Sequence, residues 1–425
     1  MQMREFPNIG EKLFTETLEN GLQIYVMPKP GFSKSYAMFA TNYGGADRRF
    51  DSGSGWIDTP AGVAHFLEHK MFDMPDGDNA LSILAANGAQ PNAFTSSAMT
   101  AYYFESTSGF DENLRTLLRF VSTPYFTPES VEKEQGIIGQ EIGMIEDSPD
   151  FVLYMNALKC LYAHNPICES VAGSVESIAR ITDKTLYDCH LAFYNPANMA
   201  LCVVGDVDPQ SIADIAREIL SKEPGRAPQR DYGPGDGLSP VKKSEKVFME
   251  VSAPQFLTAV KLPLAEKGAP RQRQQLVCIL AMRCLIGRSS RFYNRLYSEG
   301  LLGHDFGFEL DCAGGTATLL AGGESIDPEK VLAALRAEIA ETVQSGLDAG
   351  LFERVRKAFY GRSLLSLDSF DGLCQELVEG CFGGYCALDC FDMISSITKA
   401  EADAFIAENL TEDRLILSVV APKAR

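Results

Sequence analysis

The chain has 425 residues, more than one hydrophobic core usually organises, so two or more domains are expected. Hydrophobic residues make up 45% and charged residues 22%, the balance of a soluble globular protein with little room for long disorder. The formal net charge of -19 argues against nucleic acid as a partner, because affinity for a phosphate backbone depends on Lys and Arg displacing counterions. No run is apolar enough to span a membrane, and the opening Met1–Pro7 carries neither a signal nor a transit pattern. Eleven cysteines, an odd number scattered from Cys160 to Cys390, read as reduced core thiols rather than a disulfide framework, so a cytoplasmic setting is expected. Cys381, Cys386 and Cys390 crowd together but lack CxxC pairing and read as small hydrophobes.

In chain order, Gly21–Pro28 and Ser35–Tyr43 predict two strands, each bounded by Gly or Pro. From Thr59 to Phe72 the spacing turns helical, with Pro60 in a first turn and Val63, Phe66, Leu67 and Phe72 on one apolar face. A helix over Asp78–Ala86 stops at Asn87-Gly88, and Gln90–Glu105, rich in Thr, Tyr and Phe, predicts strands. Helices follow over Asp111–Val121, Thr127–Glu146 with Thr127 as N-cap and Pro128 at N1, Phe151–Tyr162 and Asp183–Phe193. A strand at Met199–Gly205 and a helix over Asp208–Leu220 close this half.

Pro, Gly and charge then replace apolar periodicity, which divides the chain into 1–221, a linker at 222–245, and 246–425. Beyond the linker the order repeats in outline. Strands are predicted near Val247–Val251 and Phe256–Leu262, helices over Arg271–Ile286 and Ser290–Ser298, and strands near Phe306–Asp311 and Thr316–Ala321. Several helices and a last strand at Leu415–Val420 follow. The closing segments Asn198–Asp206 and Asp413–Ala421 are slightly alike, as after a duplication, and two α+β halves of similar plan are implied.

The chemistry concentrates in His65-Phe66-Leu67-Glu68-His69, where two histidines four apart lie one turn removed on the same helix face. Both reach one ion, and imidazole suits zinc, which in catalytic sites takes three protein ligands and leaves a fourth place for water. Glu68 is offset by one residue, near enough to act on that water as a general base. Only five histidines occur in the chain, and two of them fall on this spacing with Glu directly before the second, as in inverted-motif zinc hydrolases. The helix from Thr127 offers Glu129, Glu132, Glu134, Glu141 and Glu146; Glu134 and Glu141 are seven apart and share a face, but spacing alone does not choose among them. His164, His190 and His304 have no ligand spacing.

With this segment, with Glu132-Lys133-Glu134-Gln135-Gly136-Ile137-Ile138-Gly139-Gln140-Glu141-Ile142, and with Gly88 to Thr95 followed by Thr100 and Tyr102, the chain resembles the pitrilysin and insulin-degrading enzyme family, which includes the mitochondrial processing peptidase. The resemblance covers most of the chain and implies a zinc metalloendopeptidase with one Zn2+ per chain. The implied fold is α+β, two similar domains that each pack helices on one face of a mostly antiparallel sheet. They would form a clam-shell whose chamber admits short or unfolded peptides. It implies Glu141 as third ligand and Glu134 as the carboxylate that orients a ligand histidine. It also implies that Gln90–Phe94 is an edge strand on which Asn92, Ala93 and Phe94 receive an extended peptide.

Arg295 matches a family arginine that contacts substrate, but the tyrosine expected seven residues later is Leu302, which removes a candidate oxyanion donor. A dimer is therefore expected, with a heterodimer preferred in which an inactive homologous subunit supplies the missing groups. The alternative within this resemblance is that the chain itself is a non-catalytic or weakly active subunit of a heterodimer that binds or processes a peptide or modified protein. Pro28 to Lys34 and Ile137 to Ile142 look most like bacterial cytoplasmic members, some of them associated with modification of elongation factor P.

Overall fold

A computed structural model of the chain describes residues 1–423. The last two positions of the expected second half, 424 and 425, lie outside the described residues. The chain runs β1 (Gln2–Phe6), β2 (Glu11–Thr17), β3 (Gln23–Pro28), β4 (Ser35–Thr41), β5 (Arg49–Asp51), β6 (Trp56–Asp58), α1 (Val63–Lys70), α2 (Ala80–Ala86), β7 (Ala89–Thr95) and β8 (Thr100–Ser106). It continues through α3 (Phe110–Ser122), α4 (Pro128–Glu146), α5 (Pro149–Leu161), α6 (Val175–Ile178), α7 (Asp183–Phe193), β9 (Met199–Gly205), α8 (Pro209–Ile219) and β10 (Gln229–Arg230). Next come β11 (Ser244–Met249), β12 (Gln255–Leu262), α9 (Ala269–Leu285), α10 (Arg291–Ser298), β13 (Gly307–Asp311) and β14 (Ala317–Glu324). The chain ends with α11 (Pro328–Ser345), α12 (Ala349–Ser366), α13 (Phe370–Gly383), α14 (Cys390–Ser396), α15 (Lys399–Asn409) and β15 (Ile416–Pro422).

Local chemistry accounts for most boundaries. Asn79 caps α2 by accepting from Leu81 N–H, and Thr127 caps α4 by accepting from Ser130 N–H at 3.2 Å. Three expectations shift. The first helix starts at Val63 rather than Thr59, because Gly62 at φ 95° turns the chain sharply just before it. The hairpin β1–β2 has no counterpart in the predicted strands, since its mostly solvent-facing residues carry little apolar alternation. The polar linker contains the short β10, which pairs with β5.

Two compact units emerge, and each gathers distant stretches of chain. The first comprises Met1–Ile142, Glu169–Tyr232 and Leu364–Leu388; the second comprises Gly143–Cys168, Gly233–Ser363 and the chain from Asp389 onward. The first unit holds a seven-stranded sheet in the order β1-β2-β3-β9-β4-β8-β7, with β7 at one edge. The second holds a five-stranded sheet in the order β11-β15-β12-β14-β13.

The two sheets share a plan. In the first, β3 runs parallel to β9, and the pairs β9–β4, β4–β8 and β8–β7 are antiparallel. In the second, β11 runs parallel to β15, and β15–β12, β12–β14 and β14–β13 are antiparallel. The closing strands β9 and β15, whose sequences are alike, thus occupy equivalent places.

Alternation along β4 and β8 sends Phe39, Tyr102 and Phe104 toward one face of the first sheet, where α1 and α3 lie and Tyr102 meets Phe72 and Phe120. Beyond that helical face, α13 covers the other side of β9 and β4, which is why both strands are buried along their length. In the second unit, α9 and α11 pack with Leu417 and Val419 in one core, while α5 packs on β15 and β12 and Ser418 donates to the Leu153 carbonyl at 2.9 Å. Each fully buried Phe or Leu in these cores stabilises by about 1.5–3 kcal/mol.

Candidate metal centre

Helix α1 is short and anchored at its entry. A side chain at Gly62 would put a Cβ 2.7 Å from the Ala172 carbonyl, and one at Gly173 would put it 2.6 Å from the Ala61 carbonyl, so two glycines allow the backbones to touch. Ser177 adds a bond to the Ala61 carbonyl at 2.9 Å. Val63, Ala64, Phe66, Leu67 and Lys70 are buried, which leaves His65, Glu68 and His69 on the partly buried stripe.

Helix α4 faces this stripe. Its buried Val131, Ile138 and Ile142 fix the rotation, and Glu134 and Glu141 emerge on the same side, whereas Glu129, Glu132 and Glu146 are exposed. His65 Nε2 lies 3.5 Å from one oxygen of Glu141, and His69 Nε2 lies 3.5 Å from the other. Donor atoms of His65, His69 and Glu141 fall within 4.8 Å of one another, the one such trio of His, Cys, Asp or Glu among the described residues. A tetrahedral zinc with ligands at about 2.0–2.1 Å spaces its donors by about 3.3–3.4 Å. The donor set and its spacing therefore fit zinc.

The supporting contacts favour the same atoms. His69 Nδ1 is 3.0 Å from Glu134 Oε1, which turns its Nε2 toward Glu141. Lys70, buried on the apolar face, pairs with Asp73 and approaches Glu134 Oε2 at 3.9 Å. His65 Nδ1 is buried and has no hydrogen-bond partner. Burial, reinforced by His69, pushes His65 down to about 4 against the pull of Glu141 and Glu134, so its ring is neutral at pH 7. Burial alone would lower His69, but the Glu134 bond and the surrounding carboxylates outweigh it and raise its pKa. Burial would likewise raise Glu134, yet His69 and Lys70 hold it below the ordinary carboxylate value. For Glu68 burial wins and its pKa is raised, despite a bond from the Thr95 hydroxyl to Oε2 at 2.6 Å.

The other sequence-predicted residues fall as follows. Asn92, Ala93 and Phe94 lie on β7, the sheet edge beside α1, and Ala93 N–H donates to Asn92 Oδ1 at 2.9 Å. Arg295 sits half exposed on α10 in the second unit, 3.9 Å from Glu338, and Leu302 is 4% exposed within that unit's core. His190 is buried against the Val121 carbonyl, and His304 meets the Tyr297 hydroxyl at 2.8 Å. The eleven cysteines are thiols rather than disulfides; Cys381, Cys386 and Cys390, expected as buried hydrophobes, are only partly buried. Sequence reasoning assigned no role to Thr95 or Lys70. The signal for Lys70 was a lysine on an otherwise apolar stripe with Val63, Phe66 and Leu67; that for Thr95 exists only in three dimensions, 27 residues from its partner.

Residues 50–174 match the insulinase family, peptidase family M16, and residues 180–359 match the peptidase M16 inactive domain. The chain is 37% identical over 437 residues to the uncharacterized zinc protease YmfH of Bacillus subtilis, covering 99% of each. It is 26% identical over 375 residues to the uncharacterized zinc protease Rv2782c of Mycobacterium tuberculosis, covering 86% of this chain and 84% of that one. An M16-like peptidase from Alicyclobacillus acidocaldarius superposes with a TM-score of 0.93 at 33% identity, covering 99% of this chain and 100% of that chain. Pitrilysin superposes with a TM-score of 0.79 at 15% identity, covering 99% of this chain and 46% of that one, a likeness of fold. The fold and the site define an M16-type metallopeptidase. The chain belongs to the insulinase family, peptidase family M16.

Among the described residues no helix is long and apolar enough to cross a membrane.

Proposed function

We propose that the chain is an active zinc metalloendopeptidase that hydrolyses peptides or unfolded segments bound in extended form. The observation that carries this reading is the convergence of His65, His69 and Glu141 within 4.8 Å, with Glu68 one residue from His69. One zinc held by these three residues supplies the Lewis acidity that activates water near neutral pH. His65 is already neutral and ready to ligate, and Glu134 fixes the ring of His69. Glu68 takes the proton of the attacking water and returns it to the leaving amine; its raised pKa suits it to both steps. The edge strand β7 binds the substrate main chain at Asn92, Ala93 and Phe94 by strand addition. We extend substrate binding to Arg295, whose side chain is 44% exposed and whose guanidinium is loosely held by Glu338 at 3.9 Å.

Glu68→Gln keeps the size of the side chain and removes the base, so turnover of a quenched peptide library falls at least about a thousandfold while the zinc content stays at the wild-type value. Wild-type turnover in this variant contradicts the role of Glu68.

Leu302 favours a second element of the proposal. Its side chain is apolar and buried, so this chain provides no hydroxyl at that position. We propose a dimer, with an inactive homologous subunit as the preferred source of the missing donor. Gel filtration then gives a dimer mass, or a rise in turnover when the partner is added. A stable monomer with full activity contradicts it.

A further inference from the structure

We infer that Thr95 is a positioning residue that holds Glu68 in the orientation its proton transfers require. This rests on the assignment of Glu68 as general base. The Thr95 hydroxyl donates to Glu68 Oε2 at 2.6 Å, within the range of a charge-assisted bond. One carboxylate oxygen is thereby fixed and the other is left for water. Glu carries three rotatable bonds, and on the partly buried stripe of α1 the Thr95 hydroxyl is its one hydrogen-bond donor among the described contacts. A β-branched threonine, stiff at χ1, restricts that carboxylate where a longer donor would move with it.

The placement of Thr95 follows from the register of β7. Residues alternate across a strand, so Ala93 and Thr95 face α1 while Asn92 and Phe94 face the other side with Tyr103, 6.2 Å from Phe94. Thr100 lies opposite Thr95 on β8 and is fully buried, its Oγ1 3.0 Å from the Tyr43 carbonyl and 3.3 Å from Thr95 Oγ1. The turn that joins them is held from outside. Ser96 N–H donates to the Met99 carbonyl at 2.8 Å, and Gly45 and Ala46 donate to the carbonyls of Ser96 and Ser97 at 2.9 and 3.0 Å. A Cβ at Gly44 would come within 2.5 Å of Ala98 N, so the two loops touch backbone to backbone. Asp47, buried behind them, accepts from Gly44 N–H at 2.9 Å and pairs with Arg230 at 2.9 Å and with Tyr232 at 2.8 Å. Thr95 is thus the end of a braced hairpin, and the strand whose edge receives the peptide also sets the base.

If the hydroxyl served packing alone, valine would replace it at no cost to turnover. The test compares wild type, Thr95→Val, Thr95→Ser and Glu68→Gln on one quenched peptide, with zinc content and thermal unfolding measured on each. Loss of a hydrogen bond to a charged group predicts that Thr95→Val lowers kcat about 10- to 100-fold with KM within about twofold and zinc unchanged. Thr95→Ser, which keeps the donor, recovers most of that loss. If Thr95→Val does not fold, Thr95→Ala is read in its place, since it removes the hydroxyl and adds nothing. The inference is overturned by wild-type kcat in the hydroxyl-free variant, by equal losses in Val and Ser, or by a change confined to KM. Wild type that cleaves no peptide fails the parent reading instead, and the inference falls with it.

Discussion

His65 and His69 occupy successive turns of one helix yet are pushed in opposite directions. His65 is enclosed with an unpartnered Nδ1 and moves down to about 4, whereas His69 is bonded to Glu134 and moves up. In metal-free protein this difference has a sign that can be measured. The unfolded chain protonates His65 near 6.5 and the folded chain only near 4, so between these values the unfolded state binds more protons. His65 therefore stabilises the fold above pH 6.5, and its contribution is lost as pH falls toward 4. His69 contributes below 6.5 and loses its contribution as pH rises through its raised pKa. We expect the acid limb of thermal stability against pH in chelator-treated protein to flatten in His65→Asn; an unchanged limb contradicts the burial argument. At this scale the shared face of His65 and His69 was legible, because an i, i+4 spacing fixes it whatever the tertiary structure. Glu141 was not separable by spacing from its neighbours on the same helix. Thr95 was silent because its role depends on the packing of β7 against α1.

Among the elements, α1 depends on its entry more than on its length of 8 residues. Its N-terminal glycine, Gly62, sits at φ 95° with the Ala172 carbonyl 2.7 Å and Ile178 3.0 Å from where a Cβ would stand. Gly62→Ala meets both backbone strain and a clash, so it destabilises by more than about 1 kcal/mol and tilts the histidines away from Glu141. Thermal unfolding and zinc titration check this; a variant with wild-type midpoint and affinity contradicts it. The same glycine explains why the sequence placed the helix start four residues early. Pro60 is a good first-turn residue in isolation, but the turn at Gly62 takes precedence. β3, β4, β8, β9 and α7 were legible from alternation and caps, whereas β1 and β2 were not, since an exposed edge hairpin needs no apolar period. The placement of β7 at the sheet edge is a product of topology, and only the resemblance anticipated it.

At the scale of the molecule, the two sheets repeat one strand order while the units trade helices. The compact units gather distant stretches of chain because α13 covers the first sheet and α5 the second. Nothing in those two helices marks their destination, since an apolar stripe states that a face is buried and not against what. His65, His69 and Glu141 all lie in the first unit, and the zinc site proposed for them is assigned there. Whether these three residues hold zinc is decided by elemental analysis of purified wild type beside Glu141→Ala, both dialysed against metal-free buffer. We expect about one zinc per wild-type chain and a loss of most of it in the variant, which removes one of the three proposed ligands. Wild type without zinc, or a variant that keeps it in full, contradicts the assignment of His65, His69 and Glu141 as the metal site.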